Sequence, residues 1–216
     1  MNYILACKIA KKFISIYIKK INGLKNIPEY KAFIVAANHS SYLDDVIMPS
    51  IIGTYISKKQ HNYVNSRFFK NYFLKKFLYW SGSIPVDVKK TKQSKKINEN
   101  AFKSALGFLK DNEPVGIFPE GQRSVDGKLQ KAKTGVAKLA LTAKVPVLPI
   151  GIINSHKILP KGKLIPKFKR CVIVNIGTLM YFKKYYGKEN NKKILRLITD
   201  NIMKEIARLS NQEYRY

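Results

Sequence analysis

Six short β-like runs, at residues 32–37, 62–65, 83–88, 115–118, 147–153 and 172–176, punctuate this chain, each bounded by Gly, Pro or polar residues. Helical patterns fall between them at about 67–80, 95–110, 134–144 and 190–210. Strands that alternate with helices predict a single α/β domain whose central sheet is largely parallel or mixed and flanked by helices. In such sheets ligands meet the loops at strand ends, so the polar residues that close each run are the first candidates for chemistry.

The apolar fraction, 45% of 216 residues, is enough to build a core, and one domain is the natural division at this length. Two cysteines, Cys7 and Cys171, cannot make a disulfide framework, fit no zinc spacing, and suit a reducing compartment. His39, His61 and His156 are far apart in sequence with no H-E-x-x-H pair, so no metal is expected. The net charge of +28 implies an anionic partner, whether nucleic acid, anionic lipid, a phosphorylated small molecule or an acidic protein. One basic cluster joins Lys89, Lys90, Lys92, Lys95 and Lys96; another runs from Lys157 to Arg170 without an acid. No nucleic-acid-binding motif accompanies them, and nucleic acid is not expected as a partner.

Residues 3–21 carry apolar side chains at Ile4, Leu5, Ile9, Phe13, Ile16 and Tyr17, with lysines interleaved. They predict an amphipathic helix too broken by charge to cross a bilayer. Such a helix either lies in an anionic membrane interface or packs its stripe on the domain. The first option divides the chain into an interface helix, 1–24, and a domain, 25–216.

Two loops carry the chemistry. Asn38-His39-Ser40-Ser41-Tyr42-Leu43-Asp44 follows the buried run at 32–37. An imidazole can take a proton from an alcohol near neutrality, and a carboxylate five residues on can orient it and stabilise the imidazolium. The same residues also spell a capping box, Ser41-x-x-Asp44. Asp45 reads as a capping or surface acid. The second loop, Phe118-Pro119-Glu120-Gly121-Gln122-Arg123-Ser124, offers a guanidinium that can grip a phosphate, with Ser124 as a further donor, or is an ordinary surface turn.

Together these loops resemble the glycerolipid acyltransferase family, above all its members that acylate 1-acyl-sn-glycerol 3-phosphate. Ile84-Pro85-Val86-Asp87, Lys133-Thr134-Gly135 and Val145-Pro146-Val147-Leu148-Pro149 follow in the family's order, and the resemblance covers roughly residues 30–155. It implies that His39 is the general base and Asp44 its orienting partner. It implies further that Glu120, Gly121 and Arg123 bind the glycerol phosphate, with Pro149 in a later motif. The implied reaction moves an acyl chain from coenzyme A or acyl carrier protein to lysophosphatidic acid, giving phosphatidic acid, with no cofactor beyond the thioester. A peripheral or monotopic place on the cytoplasmic membrane face goes with it. Val88 stands where the family commonly has Arg, and Lys89 beside it is the nearest substitute for the phosphate grip, which leaves another lysolipid or glycerol phosphate as alternative acceptors. The aromatics Phe68, Phe69, Tyr72, Phe73, Phe77, Tyr79 and Trp80 either wall an acyl-chain groove, touch the bilayer or form core.

Overall fold

A computed structural model describes residues 2–89 and 91–216; Lys90 of the first lysine cluster lies outside the described residues. The run at 32–37 becomes β2 (Ile34–Ala37), buried on both faces, which is why it reads as continuous apolar sequence rather than as an alternation. Ile34 and Ala36 face one core layer, Phe33, Val35 and Ala37 the other. Burying each of its larger side chains contributes about 1.5–3 kcal/mol.

Around β2 the chain builds one seven-stranded sheet from β1 (Ile18–Asn22), β3 (His61–Asn65), β4 (Ile84–Val86), β5 (Val115–Ile117), β6 (Val147–Ile153) and β7 (Val172–Ile176). The strand order is β1-β7-β6-β2-β5-β3-β4. Every neighbouring pair is parallel except β6 with β7, so the sheet is mixed but mostly parallel. Helices α4 (Lys92–Lys110), α5 (Gly135–Ala143) and α7 (Lys192–Ser210) cover one face. Helix α2 (Asp44–Ile56) covers the other, with α1 (Tyr3–Ile14) laid on it. Helix α3 (Tyr72–Trp80) and the short α6 (Ser155–Ile158) complete the chain's helices among the described residues, apart from 3-10 turns. Gly151 on β6 has no room for a side chain: a Cβ there would stand 2.3 Å from the Leu209 carbonyl carbon, so α7 meets the sheet backbone to backbone.

The helix expected over 3–21 stops at Ile14. Residues 18–22 form instead the edge strand β1, paired in parallel with β7, Ile18 opposite Val172. A division at residue 24 therefore cuts off a strand of the domain's own sheet. The spacing of Ile18 and Ile21 suits a helix; in the strand a register shift between Ile18 and Lys20 lets both pack on one core layer, and exposed Lys19 and Lys20 guard the edge. Among the described residues, no helix is long and apolar enough to cross a membrane.

Candidate active site

Strands β2 and β5 are adjacent and parallel, so the loops that leave their C-terminal ends meet. Asn38 fixes the first loop by mimicking a peptide: its Nδ2 donates to the Ile152 carbonyl at 2.8 Å and its Oδ1 accepts the Ile152 N–H at 2.7 Å. The next residue, His39, is thereby held at the rim. Its ring stacks on Phe118, with centroids 3.9 Å apart and planes within 11°.

Asp44 is wholly buried at the start of α2, and one oxygen does three things. Oδ2 lies 3.1 Å from His39 Nδ1 and accepts the backbone N–H groups of Ser40 and Ser41, each at 2.8 Å. The two amides fix the orientation of the carboxylate, and assigning the ring proton to Nδ1 leaves the Nε2 lone pair facing outward. Only half of the capping box is formed: Asp44 accepts the Ser41 N–H, but the Ser41 hydroxyl accepts the Leu43 N–H and not that of Asp44. Leu43, not Ser41, precedes the helix, and the Ser41 hydroxyl donates to the Leu159 carbonyl.

Glu120 ties the second loop to the first. It is buried, with Oε1 accepting the His39 N–H at 2.9 Å and Oε2 the Gln130 N–H at 2.8 Å. Burial pushes its carboxyl up to about 7, against the pull of those two amides and of His39. Gly121 takes the left-handed conformation, φ +70°, under the aliphatic end of Lys133. The Ser124 N–H donates to the His39 carbonyl at 2.8 Å, and its hydroxyl to Asp126 at 2.9 Å. Arg123 lays its guanidinium over the Tyr42 ring, 3.4 Å from the centroid, and its buried Nη1 has no hydrogen-bond partner among the described residues. Such a cation has a donor available for an oxyanion.

The structure thus gathers His39, Asp44, Glu120, Gly121, Arg123 and Ser124 at one rim. It does not gather the other two. Lys89 is exposed beyond the end of β4, with β5 and β3 between that strand and β2, and its backbone N–H donates to Asp87. Pro149 is buried within β6 opposite Ala36, where its carbonyl accepts the Gly177 N–H. His61, stacked on Phe108 and bonded to Glu113 and Gly82, belongs to the scaffold, and His156 packs on Gly127.

Asp45 stands in the first turn of α2 with its side chain 37% exposed, as a capping or surface acid does, and it also faces the imidazole. Its Oδ2 stands 3.9 Å from His39 Nε2. Its carboxyl is pushed up to about 6, chiefly by burial and further by Asp44, while His39 and Arg123 pull it down. The signal was its adjacency to Asp44, but only the first turn of α2 shows that successive side chains straddle the imidazole.

Asp45 and Tyr42 also line an apolar groove of about 670 Å³. Tyr3, Ile9 and Phe13 of α1 line it on one side, with Phe68, Phe77 and Trp80 from around α3 on another. Of the aromatic series, Phe68, Phe77 and Trp80 line the groove, Phe77 with much of its ring still exposed, whereas Tyr72, Phe73 and Tyr79 are exposed outside it. The groove was not legible before folding, because three separate helices make it.

A carboxylate-oriented imidazole and a guanidinium stacked on Tyr42 thus adjoin an apolar groove through Asp45 and Tyr42. The chain belongs to the acyltransferase family, whose model, described as Acyltransferase, matches residues 19–153. It is 30% identical over 162 residues to the chloroplastic 1-acyl-sn-glycerol-3-phosphate acyltransferase of Brassica napus, across 71% of this chain and 44% of that protein. With the 1-acyl-sn-glycerol-3-phosphate acyltransferase of Bacillus subtilis it shares 27% identity over 146 residues, 67% of this chain and 69% of that one. The chain spans less than half the length of the plant relative. Its fold matches the crystal structure of the 1-acyl-sn-glycerophosphate acyltransferase from Thermotoga maritima, with a TM-score of 0.73, 20% identity, and coverage of 98% of this chain and 81% of that one.

Proposed function

We propose that this protein transfers an acyl chain from a thioester, on coenzyme A or acyl carrier protein, to the sn-2 hydroxyl of 1-acyl-sn-glycerol 3-phosphate, giving phosphatidic acid. The observation that carries the reading is that two residues of the groove wall meet the polar groups: Asp45 lies 3.9 Å from His39 Nε2 and is also faced by Arg123, whose guanidinium covers Tyr42. A substrate with an acyl chain, a hydroxyl and a phosphate has one partner here for each part.

His39 Nε2 takes the hydroxyl proton as the oxygen attacks the thioester carbonyl, and Asp44 stabilises the imidazolium that forms. Collapse of the tetrahedral intermediate expels the thiolate, which receives that proton from His39. No acyl-enzyme is formed, and the thioester is the sole co-substrate. Arg123 holds the acceptor's phosphate. Glu120 serves by bracing His39 and the loop at Gln130, since both its oxygens are engaged with backbone N–H groups.

The acceptor resides in a bilayer, and exposed Leu5, Ile9 and Phe13 on a lysine-rich α1 suit an anionic cytoplasmic membrane face. Acyl transfer by purified protein, with labelled lysophosphatidic acid and each thioester donor separately, tests the reading. Wild type makes phosphatidic acid and His39→Ala, folded and lipid-bound, makes none. Equal turnover by the variant overturns the mechanism, and wild-type transfer only to a different acceptor overturns the substrate.

A further inference from the structure

Residues 161–170 lead from α6 to β7 and present three large apolar side chains to solvent: Leu164, Ile165 and Phe168 are 86, 84 and 87% exposed. Every ionisable residue from Lys157 to Arg170 is a cation. The segment is nevertheless anchored at both ends. Gly162, at φ +88°, allows the turn in which the Lys163 N–H donates to Pro160, and the Lys167 N–H donates to Ile158 at 2.8 Å. Arg170 Nε donates to the Ile18 carbonyl at 3.0 Å, and the Cys171 N–H to Tyr17.

Its two sides connect features already described. Lys161 Nζ donates to the Arg123 carbonyl at 3.1 Å, which places the loop beside the active-site rim. The Phe168 ring lies 6.0 Å from that of Tyr17, just past α1, where Phe13 and Ile16 are also exposed. One apolar strip thus continues from the end of α1 into the loop.

We propose that residues 161–170 form a second membrane-inserting element, whose Leu164, Ile165 and Phe168 enter the acyl boundary of an anionic bilayer while the surrounding lysines meet lipid phosphates. The inference rests on the membrane-face reading of α1 and adds to it: the catalytic rim is seated at two points rather than one. Charge alone also suits an acidic protein. Apolar tips on an extended loop, with Lys161 and Arg170 held back against the protein, fit a surface that is anionic outside and apolar beneath. Scattered apolar residues are ordinary on a surface, but three almost fully exposed within five positions are a patch.

The test is flotation of the full chain with phosphatidylcholine vesicles containing about one-third phosphatidylglycerol, compared with phosphatidylcholine alone. An environment-sensitive fluorophore attached at Ile165→Cys in a Cys171→Ser background gives a second readout. Wild type binds the anionic vesicles, the probe shifts to the blue on binding, and Leu164→Ser/Ile165→Ser/Phe168→Ser weakens partition by at least about tenfold with an unchanged circular dichroism spectrum. Wild-type binding that survives in the triple variant, with no shift of the probe, overturns the loop proposal and leaves α1 docking intact. No wild-type binding overturns both, and loss of vesicle binding together with capture by acyl carrier protein gives the loop to a protein partner. None of these readouts depends on turnover, so they stand apart from the acyl-transfer reading.

Discussion

His39 Nε2 and Asp45 Oδ2 stand 3.9 Å apart, so the nitrogen proposed as the base faces one carboxylate while Asp44 holds the other side of the ring at 3.1 Å. The groups that face Asp45 are His39, Asp44 and Arg123. Ionised Asp45 favours the imidazolium formed during proton abstraction, and its carboxyl, raised to about 6, ionises across the mildly acidic range. In Asp45→Asn, kcat/KM is expected to match wild type near pH 5 and to fall about three- to tenfold below it above pH 7, the effect being limited by the acid's partial exposure to solvent. Parallel pH profiles for the two proteins would show that Asp45 only packs.

Asp44→Asn replaces an acceptor of three hydrogen bonds with a group that has an amide to place. A drop in kcat of about 10²–10⁴ is expected, because the imidazole loses its tautomer and its stabilising charge. The buried site also loses about 1–3 kcal/mol of stability, read by denaturant unfolding. Wild-type turnover in a correctly folded variant would remove Asp44 from the mechanism.

Arg123→Lys keeps the charge but loses the planar fork and the stack on Tyr42. The KM for the phosphate-bearing acceptor is expected to rise about tenfold with kcat and the donor KM nearly unchanged, since the fork binds ground and transition states alike. Steady-state kinetics with each substrate varied separately make the distinction.

Glu120 predicts how stability depends on pH. Its carboxyl sits near 7 in the folded chain against an ordinary 4.5, so between those values the folded state holds more protons than the unfolded one. Its contribution is full below about pH 4.5 and is lost as pH rises through 7, a span worth up to a few kcal/mol. Glu120→Gln removes this titration while giving up the acceptor for Gln130. Its melting temperature relative to wild type is therefore expected to climb from pH 5 to about pH 7 and to level off above that, and a constant difference would contradict the burial argument.

Much of the sheet was legible because it is buried. Residues 147–153 and 172–176 are read to the residue as β6 and β7, since Gly, Pro and polar neighbours bound apolar runs. His39, Asp44 and the 120–124 loop were legible as chemistry because each sits where a buried strand ends. What escaped depends on partners distant in sequence. Ile18–Asn22 becomes a strand only against β7, Asp45 gains its meaning from the angle of one helical turn, and the groove needs α1, α2 and α3 together. Lys89 was drawn toward the site by its place in a motif, but the strand order sets β5 and β3 between its strand and β2.

The pairing of β1 with β7 also bears on how the protein is made. Ile18 waits for Val172, and β1 has no other neighbour in the sheet. On the ribosome, α1 and β1 are synthesised well before the strand that receives β1, and non-local pairings of this kind are closed late. Strand β1 therefore spends most of translation without its partner, while α1 can pack on α2 as soon as residues 44–56 are made.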